Sequence, residues 1–516
     1  MAARLGRRGF VSGAATLSSA ALWTPRPGRA AVAMGFDEAR HLLSRATFGA
    51  TPAEIRAVEA LDYVVAVDRL LETKHAEALT PAPSWVTEGP AELRHAEKAS
   101  RDKKGVDGKP LDIVHPVQEQ ARELRNWWVE EMLATDQPLV ERMALFWHGH
   151  FASSFEKVKY APAMYRQNEL FRREAFGNFG RLLKAVARDP AMLIYLDGVR
   201  SVARQPNENF ARELLELFTL GEGHYGEADI KNAARAFTGW SIDQKTGAFR
   251  FHEQAHDFGQ KTFLGQTGPF TGDDIVAILL KQPRTAEFVV EKLWFEFVSL
   301  RPDPDEVKRL AAILRNGNYE MKPVLRAMFL SPAFREPSVR GALIKSPIDL
   351  IVGSVHLLGL PVPEKTALVR MMQGLGQLPF NPPNVRGWIG GEAWITTYTL
   401  LLRQQFLRRM VEATTVSSVD GSMTIPMRPN RRAERKEQAP AGEGMQQSIG
   451  APLPIEGRSL RHAGMEAQLG PTLAGLGAAE LQRVLLPRKP IDGIEPSGSP
   501  GTVVALAMFD PTYQLK

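Results

Sequence analysis

From about Glu119 to Val411 apolar residues recur every three or four positions, interrupted almost only by glycine and proline turns. A chain patterned this way buries one stripe of each helix against its neighbours. The expected fold is therefore all-α, a multi-helix globular domain. One stretch departs from the pattern: between Ser241 and Leu264, alternation such as Phe249/Phe251 allows short strands near 241–264. Helical spacing also runs from Phe36 to about Lys74. There Thr51-Pro52-Ala53-Glu54 supplies an N-cap, a proline at the first helical position and a glutamate at the third.

Between these regions the composition shifts. Residues 80–117 turn polar and rich in Pro, Lys and Gly, which reads as an exposed loop. From about Ser417 to Pro500 the chain is rich in Pro, Gly, Ala, Arg and Gln and poor in aromatics, and reads as a low-complexity, disordered insertion. The closing segment echoes an earlier one. Ala507-Met508-Phe509 with Pro511 and Tyr513 repeats the order of Ala327-Met328-Phe329 with Pro332 and Phe334, an apolar helix ending in a proline turn and an aromatic. Such a turn docks a helix end on the core. The expected organisation is a signal peptide over 1–33, a helical core domain over 34–416, the insertion over 417–500, and a C-terminal helix over 501–516 that returns to the core.

The first residues read as an address. Arg7-Arg8-Gly9-Phe10-Val11 fits a twin-arginine (Tat) signal, an apolar run from Val11 to Trp23 follows, and Ala31-Val32-Ala33 supplies a cleavage site. The mature chain then begins near Met34 in a periplasmic or secreted location. No later stretch reaches the roughly 18 apolar residues of a membrane span, so no transmembrane anchor is expected after cleavage. The first 33 residues hold Arg4, Arg7, Arg8, Arg26 and Arg29 and no acid; subtracting those five from the net charge of +6 leaves +1. A near-neutral mature chain gives a nucleic-acid partner no electrostatic support. The chain has no cysteine, which excludes disulfides, iron–sulfur clusters and covalently attached haem c. A divalent metal would have to be held by His, Asp, Glu or carbonyl oxygen.

Several motifs carry chemistry on paper. Gly221-Glu222-Gly223-His224-Tyr225-Gly226 fits G-x-G-x-x-G, but it follows a helix rather than a strand and reads as a helix-terminating turn. His252-Glu253-Gln254-Ala255-His256 fits H-E-x-x-H, whose zincin mechanics need both imidazoles on one helix face with the glutamate as general base. Phe249-Arg250-Phe251 leads in like a strand and Asp257-Phe258-Gly259 stops any helix, which argues against it. In Phe146-Trp147-His148-Gly149-His150-Phe151 the two histidines point apart on a continuous helix and share one metal only if Gly149 ends it. Otherwise they are core histidines beside a tryptophan. The densest cluster is Pro206 to Gly221. Phe210, Leu214, Leu217 and Phe218 form its apolar stripe, Glu208 and Arg212 are one turn apart, and Asn209, Glu213 and Glu216 share another edge. It suits either an N-cap with helix-dipole compensation or, with His224, a metal or acid–base site.

At these residues the chain resembles the bacterial domain-of-unknown-function family 1800. The matching segments include ARHLLSRATFG (39–49), RMALFWHGHF (142–151), ARDPAMLIYLDG (187–198), PNENFARELLELFTLGEGHY (206–225), HDFGQKTFLG (256–265) and FNPPNVRGWIGGEAWI (380–395). The resemblance implies export, a helical fold and no established activity. It also implies a partner, because such chains are often encoded beside an exported protein of the alkaline phosphatase/sulfatase-like type. In the family's pattern His256-Asp257 belongs to the motif and His252-Glu253 does not. Gly149 and Ile389 stand here where Asn and Pro are usual. Two functions are then open. One is a metal-assisted hydrolase acting outside the cytoplasm, with catalytic candidates Glu208, Arg212, Glu213, His256 and Asp257 and metal candidates His148, His150, Glu213 and His224. The other is a non-catalytic exported scaffold whose polar motif residues form a structural network. A zincin-type metallopeptidase through His252–His256 is a third.

Overall fold

Proline sets the helix starts. Pro52, Pro138, Pro190, Pro283, Pro304 and Pro347 each open a helix, where the missing N–H is not needed and the fixed φ is already helical. The computed structural model describes residues 33–102, 115–360, 364–416, 469, 471–495 and 498–516. They form a mainly all-α fold whose strands are confined to two small antiparallel pairs. Trp240–Ile242 pairs with Phe249–Phe251, and Lys261–Phe263 pairs with Gln266–Gly268; alternation near 241–264 covers the first three strands, and the fourth lies just beyond it. The capping box at Thr51 is complete: its side chain accepts from the Glu54 N–H, and Glu54 reaches back to the Thr51 N–H at 2.8 Å.

The helix Pro138–His150 runs through the middle of the core. Met143, Ala144 and Trp147 are fully buried, and a large side chain buried this way contributes roughly 1.5–3 kcal/mol. Its two charged residues are buried as well and carry their partners with them. Glu141 takes both forks of Arg172, at 2.5 and 2.9 Å, and the Trp128 indole N–H at 3.0 Å. Arg142 donates to Asp349, to Glu296 and to the Thr47 carbonyl.

Two sequence expectations need correction. The polar stretch 80–117 contains a helix, Pro90–Arg101, whose Leu93 is buried and whose Ala91 N–H bonds the Gln244 carbonyl at 3.1 Å; residues 103–114 lie outside the described residues. The insertion expected over 417–500 is folded over 471–495. Its helix Ala478–Leu485 packs on Pro500–Phe509, and Leu473, Leu481, Leu485 and Leu486 are buried. A four-residue apolar spacing inside a Gly/Pro-rich context was enough to make a docked helix. Residues 1–32, nearly all of the signal peptide expected over 1–33, and residues 417–468 lie outside the described residues. Both copies of the proline–aromatic turn are formed, with Phe334 and Tyr513 buried and with Ser331 and Asp510 capping the turns. Among the described residues no helix is long and apolar enough to cross a membrane.

Candidate functional site

Gly149 does not end its helix, which continues to His150 and closes with the Phe151 N–H on the Trp147 carbonyl at 2.8 Å. His148 and His150 therefore leave opposite sides, as a continuous helix requires. The His148 ring lies among Trp128, Phe380 and Trp388, with ring centroids 5.4–5.6 Å away, and its Nε2 has no hydrogen-bond partner among the described residues. The His150 ring packs on Phe151 and Phe146; its Nε2–H donates to the Phe218 carbonyl at 3.2 Å, leaving Nδ1 without a partner. Burial pushes both imidazoles down to about 3, so both are neutral at neutral pH.

The Glu208–Glu213 helix passes into a π-helical turn over Leu214–Thr219. Thr219 Oγ1 donates to the Leu214 carbonyl at 2.6 Å, and the Leu220 N–H reaches Leu215, five residues back. The extra residue rotates the buried face, so Leu215 is buried while Leu217, expected in the stripe, is only half-buried. Gly221 and Gly223 then turn the chain at φ +81° and +84°. A side chain at Gly221 would sit 3.2 Å from the Phe288 ring.

A third segment closes on the other two. Gly387, at φ +75°, lies so close to the helix end that a Cβ there would be 2.3 Å from the Gly149 carbonyl oxygen. This contact seats Trp388 against His148 and Arg386 over the π-turn. Arg386 bonds Glu216 at 2.9 Å and Glu222 at 2.8 Å, and Tyr225 donates to Glu216 at 3.1 Å. Glu213 is half-buried and has no ion pair among the described residues; burial and then Glu216 raise its carboxyl above the usual range, with Arg386 and Arg212 opposing. Lys292 lies 5.2 Å over the Phe288 ring, and burial followed by Arg386 lowers its ammonium. Three segments far apart in sequence thus build one site, a dry His–Trp layer beneath a charged Glu–Arg–Tyr layer. Sequence reasoning missed Arg386, Tyr225 and Lys292; Arg386 and Tyr225 carried a signal, inside the matching segments 380–395 and 206–225, and Lys292 carried none.

The other candidates are placed elsewhere. Arg212 bonds Glu227 at 2.9 and 3.0 Å and Glu208 at 3.4 Å, while His224 is exposed on the glycine turn. Asp257 takes Arg235 through both oxygens, at 2.7 and 3.3 Å. His256 is buried with Nδ1 2.8 Å from the Thr238 carbonyl. Glu253–Ala255 forms a single 3₁₀ turn, so His252 is exposed while His256 is buried. That corrects the zincin reading, which needs an α-helix. The set His148, His150, Glu213 and His224 does not converge either, and among the described residues no three His, Asp or Glu side chains form a group able to hold a metal ion.

Residues 41–515 match the family described as Protein of unknown function (DUF1800). The chain belongs to the DUF1800 family. No curated protein and no solved structure matches it. This DUF1800 chain also has a cavity of about 310 Å³, apart from the site above, between the Leu43–Ala50 segment, Met132–Leu139 and the helix carrying Val352 and His356. Glu54 and His356 pair across it at 3.0 Å, and a buried Nη1 of Arg69 faces no hydrogen-bond partner among the described residues.

Proposed function

We propose that this chain is a non-catalytic exported partner protein, with Tat export to the periplasm or medium, whose motif residues hold a docking loop in place. The observation that carries the reading is the mutual pairing of the motif charges: Arg386 with Glu216 and Glu222, Arg212 with Glu227, Arg235 with Asp257. Groups committed to one another in this way fix helices and loops rather than wait for substrate. Next to Arg386 and Trp388, Ile389 is 83% exposed, and Tyr398 and Leu401 are 64% and 57% exposed on the following helix. Exposed apolar side chains held on a tightly seated loop suit a protein surface. The partner in this reading is the co-encoded exported protein of the alkaline phosphatase/sulfatase-like type.

The test mixes the two purified proteins in a calorimetric titration. A one-to-one complex, weakened at least tenfold by Ile389→Asp with an unchanged melting temperature, is expected. Absence of binding at high micromolar concentration would sink the proposal.

One observation favours a second reading, a metal-assisted hydrolase. Glu213 is a half-buried carboxyl with a raised pKa and, among the described residues, no ion pair, beside Glu216, as acid–base groups often are. Elemental analysis of exported wild type, Glu213→Gln and His148→Ala, with melting curves with and without chelator, separates the two readings. Stoichiometric metal in the wild type, lost in both variants, would favour the hydrolase. A wild type whose melting ignores chelator would favour the partner protein.

A further inference from the structure

Far from that loop, the middle of the fold carries a surplus of positive charge. Arg40, Arg45, Arg142, Arg403 and Lys516 are buried, and Lys345 joins them with its ammonium 3.7 Å from the Tyr513 ring. The carboxylates that face them are Asp349, buried, and Glu296, partly exposed. Asp37, which also acts on Arg40, is exposed and pairs with Arg483. Both Asp349 oxygens are occupied: Oδ1 by Arg142 at 2.5 Å, Oδ2 by Lys516 at 2.7 Å and by the Ser346 N–H. Among the described residues, Arg403 and Arg40 reach neutral acceptors, the Gln514 side chain and the Lys345 and Pro487 carbonyls. Lys345 has no carboxylate partner among the described residues. Arg40, Arg45, Arg142 and Arg403 each keep a buried N–H without a hydrogen-bond partner. Buried charge left this way is costly unless something neutralises it.

The space for a counter-ion is present. A cavity of about 60 Å³ opens between Arg40, Lys345, Lys516, Tyr513 and Pro487, with Asp349 also on its wall, several times the roughly 10–15 Å³ that one water needs. Arg40, 8% exposed, lines it, and its Nε–H has no hydrogen-bond partner among the described residues. We propose that this cavity binds an inorganic oxyanion, phosphate or sulfate, held by Arg40, Lys345 and Lys516. A divalent anion there supplies counter-charge to Arg40, Lys345 and Lys516, three cations that share the wall with Asp349. Burial otherwise pushes the Lys345 ammonium down to about 7, against the pull of Asp349. Because Pro487 and Tyr513 also line the cavity, the ion ties the C-terminal helices to the body.

The test is calorimetry on the full chain at fixed ionic strength, exchanging chloride for phosphate or sulfate up to 20 mM. A saturable rise in melting temperature of about 3 °C or more, with one site by titration, is expected for at least one oxyanion. Lys345→Met should melt no lower than wild type in chloride and lose the saturable response. If that variant does not fold, Arg40→Gln gives the same readout. No rise above chloride, or an equal and unsaturating rise in wild type and variant, would overturn the site.

Discussion

Nη1 of Arg142 lies 2.5 Å from Oδ1 of Asp349, a residue 207 positions further along the chain. Burial alone would raise the Asp349 carboxyl, but Arg142 and Lys516 outweigh it and hold the group well below the usual carboxylate range. Asp349 is also the third helical residue of the capping box that starts Pro347–Leu358. One side chain thus ends a helix dipole and anchors the core's charges. Asp349→Asn should cost about 3–5 kcal/mol, because Arg142 and Lys516 would be left facing each other. Urea unfolding measures it; a loss under about 1 kcal/mol would show that the centre is not carried by this charge.

Acid should unfold the protein early. His41, His148 and His150 are each pushed down to about 3, by burial first. The unfolded chain binds their protons below pH about 6.5 and the folded chain does not, so stability falls as pH drops. Asp189 works the other way: burial raises it to about 7, so over pH 4 to 6.5 the folded chain holds a proton that the unfolded one releases. The three histidines against Asp189, with Glu169 and Glu213 raised in the same sense as Asp189, leave a net uptake of at most about two protons on unfolding, or up to roughly 2.7 kcal/mol per pH unit. His148→Phe should cut the uptake by about one proton. Potentiometric unfolding checks this, and an unchanged uptake in the variant would contradict the assignment.

Leu481 is fully buried in the helix Ala478–Leu485. Leu481→Ala should therefore destabilise the chain by about 2–5 kcal/mol. A melting temperature equal to wild type would mean that this helix does not pack on the body.

Gly387→Ala should unseat the loop that carries Arg386 and Trp388. Its Cβ would meet the Gly149 carbonyl at 2.3 Å in a left-handed backbone conformation, a strain of about 1–3 kcal/mol. Near-ultraviolet circular dichroism should lose the contribution of Trp388, with little change in helix content. An unaltered spectrum would remove the contact from the account.

What could be read beforehand divides along the same physics. Thr51 and Glu54 are three residues apart, so their capping box is visible in the letters. Leu217 was placed in the buried stripe because a 3.6-residue period was assumed, and the π-turn after Glu213 shifts that phase in a way no local letter announces. The helix Pro90–Arg101 hid behind its charges, since Leu93 is nearly its only buried apolar side chain. The pairing of Arg386 with Glu216 spans 170 positions, and only the tertiary fold brings them together. Glu208 with Arg212, one turn apart, was legible for the opposite reason.

The segment 514–516 adds its backbone to 343–345: the Lys345 N–H reaches the Gln514 carbonyl at 2.7 Å, and the Lys516 N–H reaches Leu343 at 2.8 Å. The strand-like seam and the Asp349 centre beneath it cannot form without residues 514–516. A chain stalled or clipped before residue 513 would retain its earlier helices yet lack Tyr513, Gln514 and Lys516, leaving Asp349 and Arg403 short of partners. The charge centre therefore rests on closing a loop of 167 positions between Asp349 and Lys516, a contact whose entropy must be overcome before its ion pair can stabilise the fold.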